Sequence, residues 1–177
     1  MDNLRINKAA EVLYSSRINL KKIKELPKDC IPLSTKEAYD IQNELVNKYL
    51  LADKNVSLIG KKIGCTNKDA QVQLNIQESF FGNMFSNNIS KSNCTINPED
   101  YFSPFVEPEF SFVMKNELDI LNAPYSPDIV YKFISAVLPS IELVDSRFED
   151  WTTIGVNNLI ADNAVHAHWI YGDEIKN

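Results

Sequence analysis

No uncharged apolar stretch in this 177-residue sequence approaches the roughly 18 residues that a membrane-spanning helix needs. The opening residues, Met1 to Arg5, carry no apolar core of the signal-peptide kind, so no secretory leader is expected. Positive charge is short as well. Eighteen Lys and Arg stand against 24 Asp and Glu, for a net charge of −6. That balance argues against nucleic acid and anionic membrane as partners, because both present phosphate. Cysteine is limited to Cys30, Cys65 and Cys94, which are far apart, odd in number and in no zinc-binding spacing. Free thiols in a reducing cytoplasm are the expectation. There is no internal repeat and no low-complexity tract. What is present suffices for a real core: 44% of the residues are hydrophobic. The length fits one domain, or one domain with a small appendage.

Residues from about Asn7 to Arg17 read as a helix with Ala10, Leu13 and Tyr14 on one stripe. Pro27 and Pro32 bracket a loop. Ser34-Thr35-Lys36-Glu37 is a capping-box pattern, and it opens a helix whose apolar stripe runs Ala38, Ile41, Leu45 and Tyr49. Residues 1–55 are thus an N-terminal helical region, and the texture changes at Val56. Ser57 to Gly64 reads as a strand, and Asn67 caps a short helix through Leu74. Ser86 to Thr95 reads as a polar loop. Phe105 to Met114 is a strand, followed by a turn around Asn122-Ala123-Pro124. Pro127 suits the first position of a helix to about Val137, with Val130, Phe133, Ile134 and Val137 buried. A further strand surrounds Glu142. Helices first, then strands interrupted by short helices, give an α+β class.

Two of these strands carry acid in apolar settings. Glu107 and Glu109 lie in Phe105-Val106-Glu107-Pro108-Glu109-Phe110, and Glu142 lies in Ser140-Ile141-Glu142-Leu143-Val144. Strand side chains alternate faces, so Glu107 and Glu109 point the same way. An unpaired carboxylate is costly to bury, and two on one face repel each other. A cation held between them, with Glu142 as a third ligand, is the simplest remedy. An all-carboxylate oxygen set suits Mg²⁺ or Mn²⁺ rather than Zn²⁺. The alternative is the solvent-facing side of an edge strand, a position that Pro108 permits.

The ordered set Ala38-Tyr39-Asp40-Ile41-Gln42, Gly60-Lys61-Lys62-Ile63-Gly64-Cys65-Thr66, Val72-Gln73-Leu74, Gly82, Val106-Glu107-Pro108-Glu109, Ile141-Glu142-Leu143-Val144-Asp145-Ser146-Arg147, Asp150-Trp151 and Ala161-Asp162-Asn163-Ala164 spans nearly the whole chain. It resembles the 2-keto-4-pentenoate hydratase branch of the fumarylacetoacetate hydrolase superfamily. The resemblance implies a metal-dependent lyase acting on a small 2-oxo acid from aromatic ring cleavage. In it Glu107, Glu109 and Glu142 bind Mg²⁺ or Mn²⁺, and Lys62 is the catalytic lysine. A homo-oligomer is expected. Residues 56–177 are then a partial fumarylacetoacetate-hydrolase-like β-domain, because the family continues beyond the match to Asn177. A chain cut there should be less stable or more prone to associate than a complete one. Two positions depart from the hydratase pattern. Phe80 stands where hydratases carry an aspartate, and Val165-His166 stand where they often carry serine. The readings left open are a 2-oxo-alkenoate hydratase, a decarboxylase of the 4-oxalocrotonate type, and a truncated non-catalytic homologue.

For the remaining candidates the plainer alternatives stand beside the functional ones. Lys61 and Lys62 face opposite ways, so one of the pair is a solvated strand lysine. Asp145 and Arg147 share a strand face and fit a structural ion pair. Asp162 is a ligand-shell residue or a turn residue. His166 and His168, two apart on one strand face, could bind a metal but have no third nitrogen or sulfur ligand. Trp151 and Trp169 fit the core better than a substrate contact.

Overall fold

In the computed structural model, which describes residues 1–176, the chain opens with two packed helices, α1 (Asn3–Ile18) and α2 (Thr35–Ala52). Helix α1 starts before its apolar stripe because the Asp2 carboxylate accepts from Arg5 N at 2.9 Å and caps it. Ser34 caps α2, its Oγ accepting from Glu37 N at 3.3 Å. The return bond of the box is displaced by one residue: Glu37 Oε2 accepts from Leu33 N at 2.8 Å. Ala9, Ala10 and Leu13 of α1 meet Ala38, Ile41 and Leu45 of α2 in the main core. Leu26, Cys30, Phe80, Phe148, Ile160, Ala161 and Ala164 complete that core, so distant parts of the chain close over the helical pair.

Strands β1 (Leu58–Gly64) and β2 (Phe80–Phe85) form an antiparallel ribbon around α3 (Lys68–Gln73), which Asn67 caps. Lys61 lies opposite Asn83, and Lys62 opposite Gly82. The larger sheet holds β3 (Ile89–Lys91), β4 (Phe105–Met114), β5 (Ile134–Val144), β6 (His166–Tyr171) and β7 (Ile175–Lys176). Its order is β3-β6-β5-β4, with β7 paired to the start of β5 and β4 at the edge. The β3–β6 pair is parallel and the other pairs are antiparallel. The short helices α4 (Pro127–Lys132) and α5 (Val156–Ala161) flank β5 in sequence. One face of β4 leaves Val106, Phe110 and Phe112 exposed. No helix among the described residues is long and apolar enough to cross a membrane.

Three expectations from the sequence need correction. The segment Ser86 to Thr95 is not all loop, because Ile89–Lys91 adds a strand beside Trp169–Tyr171. The helix after Pro127 ends at Lys132, and β5 begins at Ile134. Val130, Phe133, Ile134 and Val137 are only half-buried. Pairing with β4 from Met114 to Phe105 claims residues whose apolar spacing also suits a helix. Finally, Asp145 and Arg147 lie beyond the end of β5 and do not pair with each other. Asp145 takes the Arg17 guanidinium at 2.6 Å and the amides of Phe102 and Ser103 at 3.0 and 2.9 Å. Arg147 instead pairs with fully buried Asp162, which also accepts from the Arg147 amide at 3.0 Å. Asp162 is therefore a structural anchor between α5 and the segment that follows β5.

Candidate metal centre

The antiparallel register of β4 and β5 sets Glu107 directly opposite Glu142 and Glu109 opposite Ser140. All four side chains share one face of the sheet. One carboxylate oxygen from each of Glu107, Glu109 and Glu142 lies within 4.8 Å of the others. Glu142 is 1% exposed, Glu109 is half-buried and Glu107 is exposed, so the cluster opens to solvent on the β4 side. Lys62 reaches the cluster from β1, its Nζ 3.0 Å from Glu142 Oε2. The same ammonium donates to Ala164 O at 3.3 Å. Lys61 is exposed, with its amine on Asn83 Oδ1 and 4.9 Å from the centre of the Phe81 ring.

His166 joins this cluster through Glu142, a contact that the spacing of His166 and His168 does not signal. Its Nδ1 lies 2.6 Å from Glu142 Oε1. In the β5–β6 ladder Leu143 faces His168 and Val144 faces His166, which leaves Ala167 without an opposite number. This bulge reverses the alternation and turns His166 onto the glutamate side. His168 goes the other way, with Nε2 3.0 Å from Ser90 Oγ, and burial pushes its pKa down. The two histidines therefore do not form a metal-binding pair. Trp169 sits opposite Glu142, donates Nε1–H to Ser111 Oγ at 2.9 Å and stacks on Tyr171 at 4.8 Å. Ser111 in turn bonds Ser140 at 2.7 Å. Trp169 thus lines the glutamate face, whereas Trp151 packs edge-on against Phe105. Ser111 and Ser140 were legible as further members of the alternating rows that carry Glu109 and Glu142.

The turn entering β6 has an uncommon backbone. Asn163, Ala164 and Val165 have φ of 54°, 51° and 55° in succession. Each non-glycine residue in this left-handed region costs about 1–2 kcal/mol, and a β-branched valine there is an outlier. A buried amide network holds the turn. Asn163 Oδ1 accepts from Asn83 N at 2.7 Å, and Asn163 Nδ2 donates to Asn83 O at 2.9 Å. Asn83 Nδ2 donates to Gln42 Oε1 at 2.9 Å, and Gln42 Nε2 donates to Phe81 O and Ile160 O. Gly82 lies so close that a Cβ there would meet Asn163 O at 2.3 Å. The turn delivers two things to the cluster: the carbonyl that accepts from Lys62, and His166.

Crowded acid shapes the electrostatics. Burial, then the Glu142 charge and that of Glu107, push the Glu109 pKa up to about 7 against the pull of Lys62. Burial and Glu142 likewise raise Glu107, with Lys62 opposing. Glu142 Oε2 is buried and accepts no aligned hydrogen bond, although Lys62 Nζ lies 3.0 Å away. The two facts agree if that contact is one of charge without an N–H aimed at the oxygen. An oxygen-only donor set, with one acceptor unsatisfied and like charges in excess, fits a hard divalent cation. A test needs no cation. Glu109 holds its proton more tightly folded than unfolded between its ordinary value near 4.5 and about 7. The folded state binds more protons in that window, so this group lowers stability as pH rises through it. With chelator present, Glu109→Gln should melt above the wild type at pH 8 and close to it near pH 4.5. Parallel melting curves across this range would show that Glu109 is not strained by its neighbours.

No family model matches the chain. Single proteins do. A 2-hydroxypent-2,4-dienoate hydratase of Pseudomonas putida is 29% identical over 175 residues, covering 98% of this chain and 77% of that protein. A 2-keto-4-pentenoate hydratase of Paraburkholderia xenovorans is 31% identical over 165 residues, covering 93% of this chain and 59% of that protein. The solved 4-oxalocrotonate decarboxylase of Pseudomonas putida G7, complexed with magnesium and adipate, superposes with a TM-score of 0.87 at 22% identity. It is covered to 65% and this chain to 99%, and it establishes the shared α+β fold. The chain spans about three fifths of the length of several such relatives. In sequence this chain is similar to 2-keto-4-pentenoate hydratases, and in fold it is similar to 4-oxalocrotonate decarboxylase.

Proposed function

We propose that this chain is a divalent-cation-dependent lyase of the 2-keto-4-pentenoate hydratase type, adding water to a small 2-oxo-alkenoate from aromatic ring cleavage. The observation that carries this reading is the convergence of Glu107, Glu109 and Glu142 beside Lys62. These three glutamates would hold Mg²⁺ or Mn²⁺. A cation so held supplies a Lewis acid for the ketone oxygen, where negative charge grows during enolisation. Lys62 places its Nζ at the inner edge of the acidic cluster and is the group to hold or pass a proton there. Trp169, stacked on Tyr171, forms an aromatic wall beside Glu142 that excludes water from one side. Free thiols at Cys30, Cys65 and Cys94 support a cytoplasmic setting. The exposed Val106, Phe110 and Phe112 support self-association.

One observation favours a second reading. Phe80 is 7% exposed and its ring packs over Gly64, so this position offers no acid or base to water addition. Loss of CO₂ needs mainly the electron sink, which makes decarboxylation of a 2-oxo acid the alternative. The chain should be loaded with Mn²⁺ and given a 2-oxo-alkenoate and its carboxylated analogue, with water uptake and CO₂ release both followed. Lys62→Ala should lower kcat by about 100-fold or more without weakening Mn²⁺ binding. Full activity in that variant would remove Lys62 from the chemistry. Tight Mn²⁺ binding with neither reaction would favour the non-catalytic homologue.

A further inference from the structure

We propose that His166 is a positioning residue for Glu142, set in place by the left-handed turn Asn163–Val165. The inference rests on the reading of Glu107, Glu109 and Glu142 as a cation site. Glu142 has two carboxylate oxygens and little room. With Oε1 held by Nδ1 at 2.6 Å, Oε2 is committed to the side where Lys62 stands. The tautomer that makes this bond carries its proton on Nδ1 and donates it to Oε1. His166 is 3% exposed, and its Nε2 is buried with no hydrogen-bond partner among the described residues. A leucine or methionine would fill this space without leaving a buried nitrogen unsatisfied, a cost that sequences usually avoid. The backbone carries a second cost in its three consecutive left-handed residues. A third irregularity, the unpaired Ala167, aims the ring. All three bear on one contact, that between an imidazole and the most buried of the three carboxylates, and the turn also supplies the carbonyl that accepts from Lys62. Outlier geometry maintained at such a point indicates a functional constraint.

A carboxylate held by a second partner is pre-oriented for its cation, and losing such a partner typically weakens metal binding by about 10–100-fold. The test follows Mn²⁺ binding by the loss of the free-ion electron paramagnetic resonance signal, using the full chain. His166→Ala should bind Mn²⁺ about 10–100-fold more weakly than the wild type. His166→Asn should recover most of that loss, because its amide N–H stands near the Nδ1 position. The metal-free melting temperatures of the two variants should match, so that affinity and stability separate. Equal Mn²⁺ affinity in His166→Ala and wild type overturns the proposal, as does an equal loss in the alanine and asparagine variants. If the alanine variant does not fold, His166→Asn is compared with His166→Gln, whose donor is displaced from Nδ1. Retention by asparagine and loss by glutamine supports the role, and equal affinity overturns it. A wild-type chain that binds no Mn²⁺ overturns the cation site and this inference together. Wild-type binding that Glu142→Gln abolishes and His166→Ala leaves intact overturns this inference alone.

Discussion

Replacing Glu142 by leucine should destabilise the protein by about 3–5 kcal/mol, and replacing Lys62 by methionine in the same chain should restore much of that loss. Lys62 is 8% exposed, and its nearest other acceptor is Ala164 O at 3.3 Å. Without Glu142 the ammonium stays buried, and the carboxylates left near it, half-buried Glu109 and exposed Glu107, stand closer to solvent than Glu142 does. The His166 Nδ1 donor loses its acceptor at the same time. A buried charge deprived of its partner is costly, whereas removing both partners in favour of apolar groups is often close to neutral. Lys62→Met alone should also destabilise the metal-free protein, because the three carboxylates lose the cation nearest to them. Urea unfolding of the two single variants and the double variant measures the coupling. Additive effects would show that Lys62 does not depend on Glu142 in the fold.

Gly82→Ala should cost about 1–3 kcal/mol or more and weaken Mn²⁺ binding with it. The added Cβ would stand 2.3 Å from Asn163 O and 3.0 Å from Ala164 Cβ. Neither neighbour is the free end of a side chain, so the left-handed turn itself must shift. That turn holds both the carbonyl under Lys62 and the entry to His166, and the disturbance reaches Glu142 from two sides. Gly60→Ala is the matched control, since its Cβ would meet nothing closer than Met84 Sδ at 3.6 Å. Thermal melts and Mn²⁺ titrations of both variants distinguish the cases. A Gly82→Ala protein as stable as Gly60→Ala would mean that the turn yields at little cost.

The glutamate face is legible from local rules and Lys62 from the ordered motifs, whereas the contact of His166 with Glu142 is not. Alternation in Val106-Glu107-Pro108-Glu109 puts two carboxylates on one side, and the ordered motifs bring the Glu142 strand beside them. The roles given to these residues remain the reading proposed above. His166 was hidden because its direction depends on the unpaired Ala167 and on a turn that sequence does not announce. Asn163 tolerates a left-handed backbone, but Ala164 and Val165 argue against it, and the tertiary network through Gln42 and Asn83 decides the matter. The helix that opens at Pro127 is shorter than its apolar spacing suggests for a related reason. The apolar residues from Val130 to Val137 fit either period, and the long ladder with β4 settles the choice. Asp145 and Arg147 were paired by strand alternation, which lapses once β5 ends at Val144. Their partners, Arg17 and Asp162, are distant in sequence or on another element.

The bulge at Ala167 also divides β6 into two parts that answer to different neighbours. Before it, His166 belongs to Glu142 and the strained turn. After it, Trp169 and Tyr171 belong to Ser111 and to each other. The extra residue works as slack, so a change of shape in one part need not be transmitted as a change of register in the other. A shift of register around Trp169 and Tyr171 can therefore be taken up at Ala167 while the His166–Glu142 contact keeps its place. A strand that is irregular in geometry is in this respect the more adaptable one.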